Sequence, residues 1–459
     1  MNRQQTRLPF RLLAAYGLLA LPLATIGLPL SIYLAPFYAG ELGLPLAALG
    51  AAMVAARLID VVVDPWIGVL TDRWRPAVGR RKIWLPLGGA VLLVGVWMLF
   101  RPAAGVGIGY FLLWTAVVYL GFTATKLPYE AWGAELSPDY AERTRIASAR
   151  QVFTLVGLVV ATLVPALVLA RPGASAADVL GSMSWAMFLL LPLAALLAFV
   201  VVPDTSPAEG PAERGVLRGM ATALRNGPFR RIGLALFLGY IAETFRVTIT
   251  LFFARDAIGV PNIGAVYVYY FLTGLAAVPL WSWLGNRLGK HRALLLAFVV
   301  VIATNTGIFF LERGQVAAFT ALFIAKGFCF GALELLPAAM IADTVDVDVA
   351  RTGRRRQGLF FALVGIVIKL GQAIGQGLSL NLLALVGYRA SGGNGPAEVD
   401  ALRLLYCIFP SAFLVVSIWL IARYPLTRAR HGRLRAAIAR RDARRMLSAA
   451  APRPAPARP

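Results

Sequence analysis

Histidine and cysteine are nearly missing from this sequence: 459 residues hold two His (His291, His431) and two Cys (Cys329, Cys407). Both cysteines lie in apolar runs, which leaves neither a disulfide framework nor Cys-rich metal spacing. The histidines fall in a basic loop and a basic tail, away from any catalytic pairing. No HExxH pattern and no GxxxxGK[ST] phosphate loop occurs, so zinc hydrolysis and ATP-driven work within this chain drop out. No nucleophile–base arrangement stands out either, and the chain reads as a non-enzyme without a cofactor. Charge is scarce as well. Only 15% of residues are charged against 59% hydrophobic, too little polar surface to cover a soluble fold.

What fills the chain instead is a series of apolar runs near the roughly 20 residues that a bilayer demands. Approximate spans are 12–36, 46–70, 83–101, 105–128, 150–170, 182–202, 231–253, 262–284, 292–311, 316–340, 358–387 and 403–422. The reading is an all-α integral membrane protein of twelve transmembrane helices. No cleavage site follows the first run, which continues straight into Leu28–Phe37.

A formal charge of +23 suggests nucleic acid until its location is read. Of 45 Lys and Arg, 34 fall in the N-terminus, the even-numbered loops and the tail, six in the odd-numbered loops and five inside spans. That is the positive-inside bias, and it expects both termini in the cytoplasm. The 11 arginines from Arg423 onward suit an anionic leaflet, so the expected partners are the lipid bilayer and a small solute, with no nucleic acid. Arginine outnumbers lysine 40 to 5, as in a GC-rich bacterial genome, and the expected location is a bacterial inner membrane.

The longest internal polar segment divides the chain into an N-terminal half (1–202), a cytoplasmic linker (203–230) with a short amphipathic helix near Gly215–Leu224, a C-terminal half (231–422) and a basic tail (423–459). The halves echo one another. "TDRWRPAVGRRK" follows the second span and "GNRLGKHR" the eighth; the fourth spans of each half end "LPYEAWGAELSPDYAERTR" and "LPAAMIADTVDVDVARTGRRR". Parallel six-span halves are the layout of a major-facilitator transporter, which rocks about a central cavity.

Ionisable groups inside a membrane are costly and mark pathways. "ARLIDVVVDPWIGVLTDRWRP" sets Arg57, Asp60 and Asp64 on one helical face. The two carboxylates repel, and a proton or a cation between them removes that cost. Arg57 is a charge partner for them, and a purely structural ion pair is the alternative. Pro65 is expected to kink the helix. Asp72 and Arg73 read as a cytoplasmic gate or turn. In the fourth span Lys126 and Glu130 are four apart and expected to pair facing the same cavity, against the simpler reading of a snorkelling lysine. Arg150 opens the fifth span as either a gating or an ordinary interfacial arginine. In the second half Glu243 and Arg246 share a face, Lys326 precedes Glu334 by eight residues, and Lys369 lies mid-span with Gln372 and Gln376 near its face. A mid-membrane lysine without an acid in its own helix needs a partner, and Asp60 and Asp64 are the obvious supply. Tyr267 and Tyr270 of "YVYYF" are candidates for stacking against a sugar-like ring.

Taken together, "RLIDVVVDPWIGVLTDRW…GRRKIW", "LPYEAWGAELSPDYAERTR" and "ADTVDVDVARTGRRRQGLFFALVGIVIKLGQAIG" resemble the glycoside–pentoside–hexuronide:cation symporters, a branch of the major facilitator superfamily, over roughly residues 10–425. The resemblance implies secondary transport of a sugar or sugar acid with Na+, Li+ or H+. It matches Asp60 and Asp64 to the paired cation-site carboxylates, Lys369 to a lysine near that site, and Arg150 to an arginine near the sugar pocket. The chain departs from sodium-coupled members where Lys126 replaces a third acid, where Glu130 replaces a tryptophan, and near Ala24, where a sugar-binding aspartate is missing. Lys126 beside Asp60 and Asp64 takes over one role of a bound cation, so a proton is the favoured coupling ion and sodium at Asp60 and Asp64 the alternative. The expected protein is a monomeric symporter working by alternating access. The competing readings are an uncoupled facilitator of a non-sugar solute and a non-transporting scaffold or sensor.

Overall fold

The computed structural model describes residues 7–441 apart from 75, 77–78, 138, 205–222, 353–355, 428–429, 435 and 439, and only the backbone of 72, 140 and 141. Residues 205–222 of the expected linker, with most of its expected amphipathic helix, therefore lie outside the described residues, as does the tail beyond 441, and the last residues of the expected linker already belong to the helix that starts at Gly227.

Among the described residues every regular element is a helix. The first six helices are α1 (Phe10–Ile32), α2 (Leu46–Arg73), α3 (Trp84–Phe100), α4 (Ile108–Glu135), α5 (Tyr140–Leu169) and α6 (Ala176–Val201). Beyond the linker come α7 (Gly227–Phe253), α8 (Ile263–Ala276), α9 (Val278–Leu288), α10 (Lys290–Phe309), α11 (Val316–Phe328), α12 (Phe330–Thr352), α13 (Gln357–Leu385), α14 (Pro396–Arg403) and α15 (Phe409–Ala422).

Ten helical stretches are long and apolar enough to cross a bilayer, and α8 with α9, bent by 44° at their junction, would make an eleventh. Proline near the start of α9 removes a backbone donor there, which accounts for the break. α3 is apolar but only 17 residues long, about 26 Å at 1.5 Å per residue, slightly under the hydrocarbon thickness.

Helix ends run past the apolar windows. α4 continues through Pro128 to Glu135, and α5 starts ten residues before the expected 150, with Asp139 Oδ1 accepting from the backbone N–H of Glu142 at 3.0 Å. Apolar counting finds the stretch that lipid can cover, whereas the helix runs on to its cap. Pro65, expected to kink the second span, lies inside the unbroken helix α2.

Two seams join the helices before the linker to those after it. α2 packs along α13, and α5 along α8. In the first, a Cβ on Gly50 would stand 2.8 Å from Asn381 Nδ2 and 3.1 Å from the carbonyl oxygen of Gly377. In the second, a Cβ on Gly264 would stand 2.6 Å from the backbone N of Ala166, whose carbonyl accepts from Asn262 Nδ2 at 2.8 Å. Such distances leave no room for a side chain, so backbone packs on backbone. α1 and α5 run parallel, Gly17 against Ala149 and Leu21 against Gly157, and α2 begins where α1 has just ended. Both seams consequently lie at one end of the bundle, opposite the basic loops.

Candidate functional site

Between the seams and the basic loops lies a cavity of about 560 Å³. α1 contributes Ala24 and Ser31, α2 contributes Arg57, and α4 contributes Tyr119 and Lys126. The facing wall is Tyr240 and Glu243 of α7, Tyr267 and Tyr270 of α8, and Lys369, Gln372 and Gln376 of α13. Volume and lining suit a small polar solute, since ligand pockets of this kind typically enclose about 300–1,000 Å³.

Behind two residues of that lining, Arg57 and Lys369, is a compact ionic knot. Lys369 Nζ stands 2.8 Å from Asp60 Oδ2 and 2.5 Å from Asp64 Oδ2, reaching across the α2–α13 seam. Thr123 Oγ1 lies 3.0 Å from Asp60 Oδ1 and 3.0 Å from Asp64 Oδ1, so its hydroxyl serves both acids. Arg57 Nη1 approaches Asp60 Oδ2 at 3.5 Å, and its guanidinium stacks 4.1 Å from the Tyr119 ring centroid. Asp60 is almost fully enclosed (3% exposed), while Asp64 and Lys369 keep about a quarter of their surface open (26% and 24%). Helical spacing explains the convergence: residues 57, 60 and 64 repeat at three and four, so α2 turns all three toward α4 and α13.

The expected position of Lys126 needs correction. Its ammonium lies 5.4 Å from the Phe122 ring centroid, and it makes no ion pair with Asp60, Asp64 or Glu130. Lys369 is the cation between the two carboxylates, because α13 is pressed against α2 by small residues, whereas Lys126 projects into the cavity from α4. Glu130 pairs instead with Arg150 Nη1 at 3.2 Å, joining α4 to α5 beside the cavity rather than within its lining. Tyr267 and Tyr270 do line the cavity, but they are 2% and 3% exposed and packed against Phe323 in an aromatic cluster. Gln376 Oε1 is buried with no hydrogen-bond donor, an unused acceptor at the cavity wall.

Arg73 is exposed at the end of α2 without an ion pair among the described residues, and the side chain of Asp72 is outside them. The contacts at that end come from neighbours not singled out as gate residues. Arg80 and Arg81 both reach Glu135 Oε1, at 2.8 and 2.7 Å, tying the loop after α2 to the end of α4. In the second part of the chain Lys290 pairs with Asp343 Oδ2 at 2.7 Å, tying the start of α10 to α12. Glu135 and Asp343 stand inside the two echoing sequence segments, and that position was the available signal for them. Thr123 carried none: a lone threonine in an apolar helix is indistinguishable from a packing residue until α2 is placed beside it. In the tail, His431 Nε2 lies 2.8 Å from Asp346 Oδ2, and Arg441 Nη2 donates to the carbonyl of Val349 at 3.0 Å, docking the tail on the end of α12. Among the described residues no group of His, Cys, Asp and Glu is arranged to hold a metal ion.

Comparison with known proteins places this geometry. A family model described as MFS/sugar transport protein matches residues 15–428. An uncharacterized symporter of Synechocystis is 25% identical over 88% of this chain and 92% of its own length. The isoprimeverose transporter of Lactiplantibacillus pentosus is 23% identical over 83% of this chain and 81% of its own. The crystal structure of the nucleoside transporter NupG superposes with a TM-score of 0.69 at 12% identity, covering 91% of this chain and all of that one, a likeness of fold.

Proposed function

Because the chain belongs to the MFS/sugar transport protein family, and is accordingly a multi-pass membrane transport protein rather than an enzyme, we propose that it is a secondary active symporter of a sugar or sugar acid. The proposed coupling ion is a proton, and the proposed location is a bacterial inner membrane with both termini in the cytoplasm. In this reading α3 and the bent α8–α9 pair each cross the membrane. The chain then has twelve spans in two six-helix halves, 1–202 and 231–422, joined by the linker and followed by the basic tail. The paired bridges between the second and fourth spans of each half, Arg80 and Arg81 just after α2 to Glu135 and Lys290 just after α9 to Asp343, support that repeat. The monomer suffices, since the cavity is built from one chain.

One observation carries the proposal: a cavity between the two halves, with an ion pair crossing from one half to the other through Lys369 of its lining. Rocking the halves changes the distance from Lys369 to Asp60 and Asp64, and so changes how readily those carboxylates accept a proton. The same rocking exposes the cavity to one side at a time. Gln372 and the unused acceptor of Gln376 fit sugar hydroxyls, Tyr119 and Tyr240 a ring face, and Lys126 the carboxylate of a sugar acid. Sodium is disfavoured because Lys369 Nζ already stands where a metal ion would bridge the two acids. A second reading, uncoupled facilitation, rests on the same contact: a knot that never opens would leave no group to carry the ion.

Uptake into proteoliposomes under imposed proton and sodium gradients, across a panel of glycosides, pentoses and uronates, tests the proposal. Asp60→Asn and Asp64→Asn should abolish proton-driven accumulation while the protein remains inserted. Full accumulation by the double variant would overturn the coupling assignment, and accumulation driven by sodium without proton movement would overturn the choice of ion.

A further inference from the structure

The second half of the chain buries a set of charges that the symport reading does not use. Adjoining the central cavity is a smaller chamber of about 80 Å³, and the two share Tyr240, Glu243, Tyr270, Phe330 and Glu334 as lining. Two carboxylates stand at its mouth. Glu243 is 38% exposed, and Glu334 is likewise open to the cavity. Two cations stand at its depth, Arg246 at 1% and Lys326 at 2% exposure.

These four groups are unequally satisfied. Arg246 Nη2 pairs with Glu243 Oε1 at 2.6 Å, and its Nη1 donates to the hydroxyl of Tyr406 at 3.0 Å. Lys326 has only a neutral partner, donating to Asn305 Oδ1 at 2.8 Å, and makes no ion pair among the described residues. Asn305 is itself held by Nδ2 donating to Ser411 Oγ at 3.1 Å, so its amide presents the oxygen to the lysine by construction. Glu334 has no cationic partner among the described residues. α11 and α12 meet at Cys329, three residues after Lys326, where a single residue interrupts an otherwise continuous helical stretch.

Burying a lysine without a counter-ion is expensive in a low-dielectric interior. With Glu243 and Arg246 cancelling each other, electroneutrality leaves the chamber two arrangements. Either Lys326 is a neutral amine and Glu334 a neutral carboxylic acid, or Lys326 is an ammonium and Glu334 a carboxylate. Both hold one exchangeable proton, and they interconvert by moving it from the Glu334 oxygen to the Lys326 nitrogen.

We propose that Lys326 and Glu334 form a second proton site, in the opposite half of the molecule from Asp60 and Asp64, that exchanges protons with water of the central cavity. Glu334 at the mouth takes a proton from cavity water, and Lys326 behind it is the internal acceptor. An anionic solute in the cavity favours uptake of one further proton from that water, giving the ammonium and the carboxylic acid together. Loss of the solute returns that proton to water. The other titratable groups facing Lys326 are Glu243 and Arg246 of α7, Tyr270 of α8, Cys329 at the helix break and Cys407 before α15, and those facing Glu334 are the Tyr240 hydroxyl and Glu243 of α7. Of these, only Glu243 is a carboxylate, and Arg246 already holds it. The proton exchange stands independently of transport; its role in coupling rests on the symport reading above.

The test uses the full-length protein in liposomes with the proton as the only ligand. Infrared difference spectra are recorded while buffer over the film is stepped between acidic and alkaline pH, following the carbonyl stretch of protonated carboxyl groups. A titrating carboxyl signal is expected that Glu334→Gln removes and that Asp60→Asn with Asp64→Asn retains. Lys326→Met should move its midpoint, because the chamber that both side chains line loses the amine that exchanges a proton with Glu334. Glu334→Asp, which keeps the acid, should keep the signal and serves if the glutamine variant does not fold. A signal unchanged in Glu334→Gln, or one lost there but unmoved by Lys326→Met, overturns the pair. Because no solute is needed, failure of this proposal is distinguishable from failure of symport.

Discussion

Replacing Lys369 by methionine keeps the length and apolar stem of the side chain but deletes the ammonium between Asp60 and Asp64. Two like charges one helical turn apart then face each other with only Arg57, 3.5 Å from Asp60, as an ionic partner. Removing one partner of a buried ion pair typically costs about 3–5 kcal/mol. Lys369 and Asp64 are about a quarter exposed, so water screens part of this and about 1–3 kcal/mol is the expected loss. For a chain of this length that is a fall of a few degrees in melting temperature. The vacated position has two carboxylates and a threonine oxygen around it, a set of oxygen donors suited to a small cation. An ion present at about 100 times its dissociation constant returns about 2.7 kcal/mol. Thermal unfolding of purified Lys369→Met should therefore be depressed in choline chloride and largely restored in sodium or lithium chloride, whereas the parent protein responds to neither. Equal melting of variant and parent in choline would show that the knot contributes nothing. A sodium response in the parent as large as in the variant would show that Lys369 does not occupy the ion's place.

Thr123→Val should lower stability by about 1.5–3 kcal/mol, once rather than twice, because one hydroxyl hydrogen is shared between two acids; Thr123→Ser should restore it, with thermal unfolding as the readout. Gly264→Val places a branched side chain where 2.6 Å separates a Cβ from the Ala166 backbone. It should abolish uptake and raise labelling of cysteines introduced at that end of the bundle, while membrane insertion is unchanged. Truncation after Pro425 removes the His431–Asp346 and Arg441–Val349 contacts on α12 but nothing that lines the cavity. Expected results are a lower melting temperature and retained uptake, and loss of uptake by an inserted, correctly oriented protein would refute that separation.

Helical spacing made the shared face of Arg57, Asp60 and Asp64 legible, because three- and four-residue steps are a property of one helix. Lys369 could be matched to them by elimination, as a mid-membrane lysine lacking an acid of its own. Lys126 could not be placed: whether it turns to the aspartates or to the cavity depends on how close α4 and α13 come to α2, which glycines on other helices decide. The Glu130–Arg150 pair was hidden for the same reason, since a four-residue spacing with Lys126 offered a local partner and only packing of α5 on α4 reveals the distant one. Helix ends were misjudged wherever a helix outruns its apolar stretch, as at Glu135 and Tyr140. The chamber around Lys326 needed six separate helices, α7, α8, α10, α11, α12 and α15, to be brought together, and no spacing along the chain records that.

The glycine seams also set a gear ratio. In the proposed rocking, close packing of this kind allows tilt but little sliding, so Gly50 with Gly377 and Gly264 with Ala166 would act as two bearings on one axle. From Gly377 to Phe360, on the same helix α13, is 17 residues, about 26 Å of lever at 1.5 Å per residue. A tilt of about 10° at the bearing moves the far end of that lever by about 4–5 Å, a displacement comparable to the thickness of a sugar ring. Lys369 sits about 12 Å from the bearing, so the same tilt moves its ammonium by only about 2 Å. That is enough to part a hydrogen-bonded pair without carrying the lysine out of the field of the aspartates.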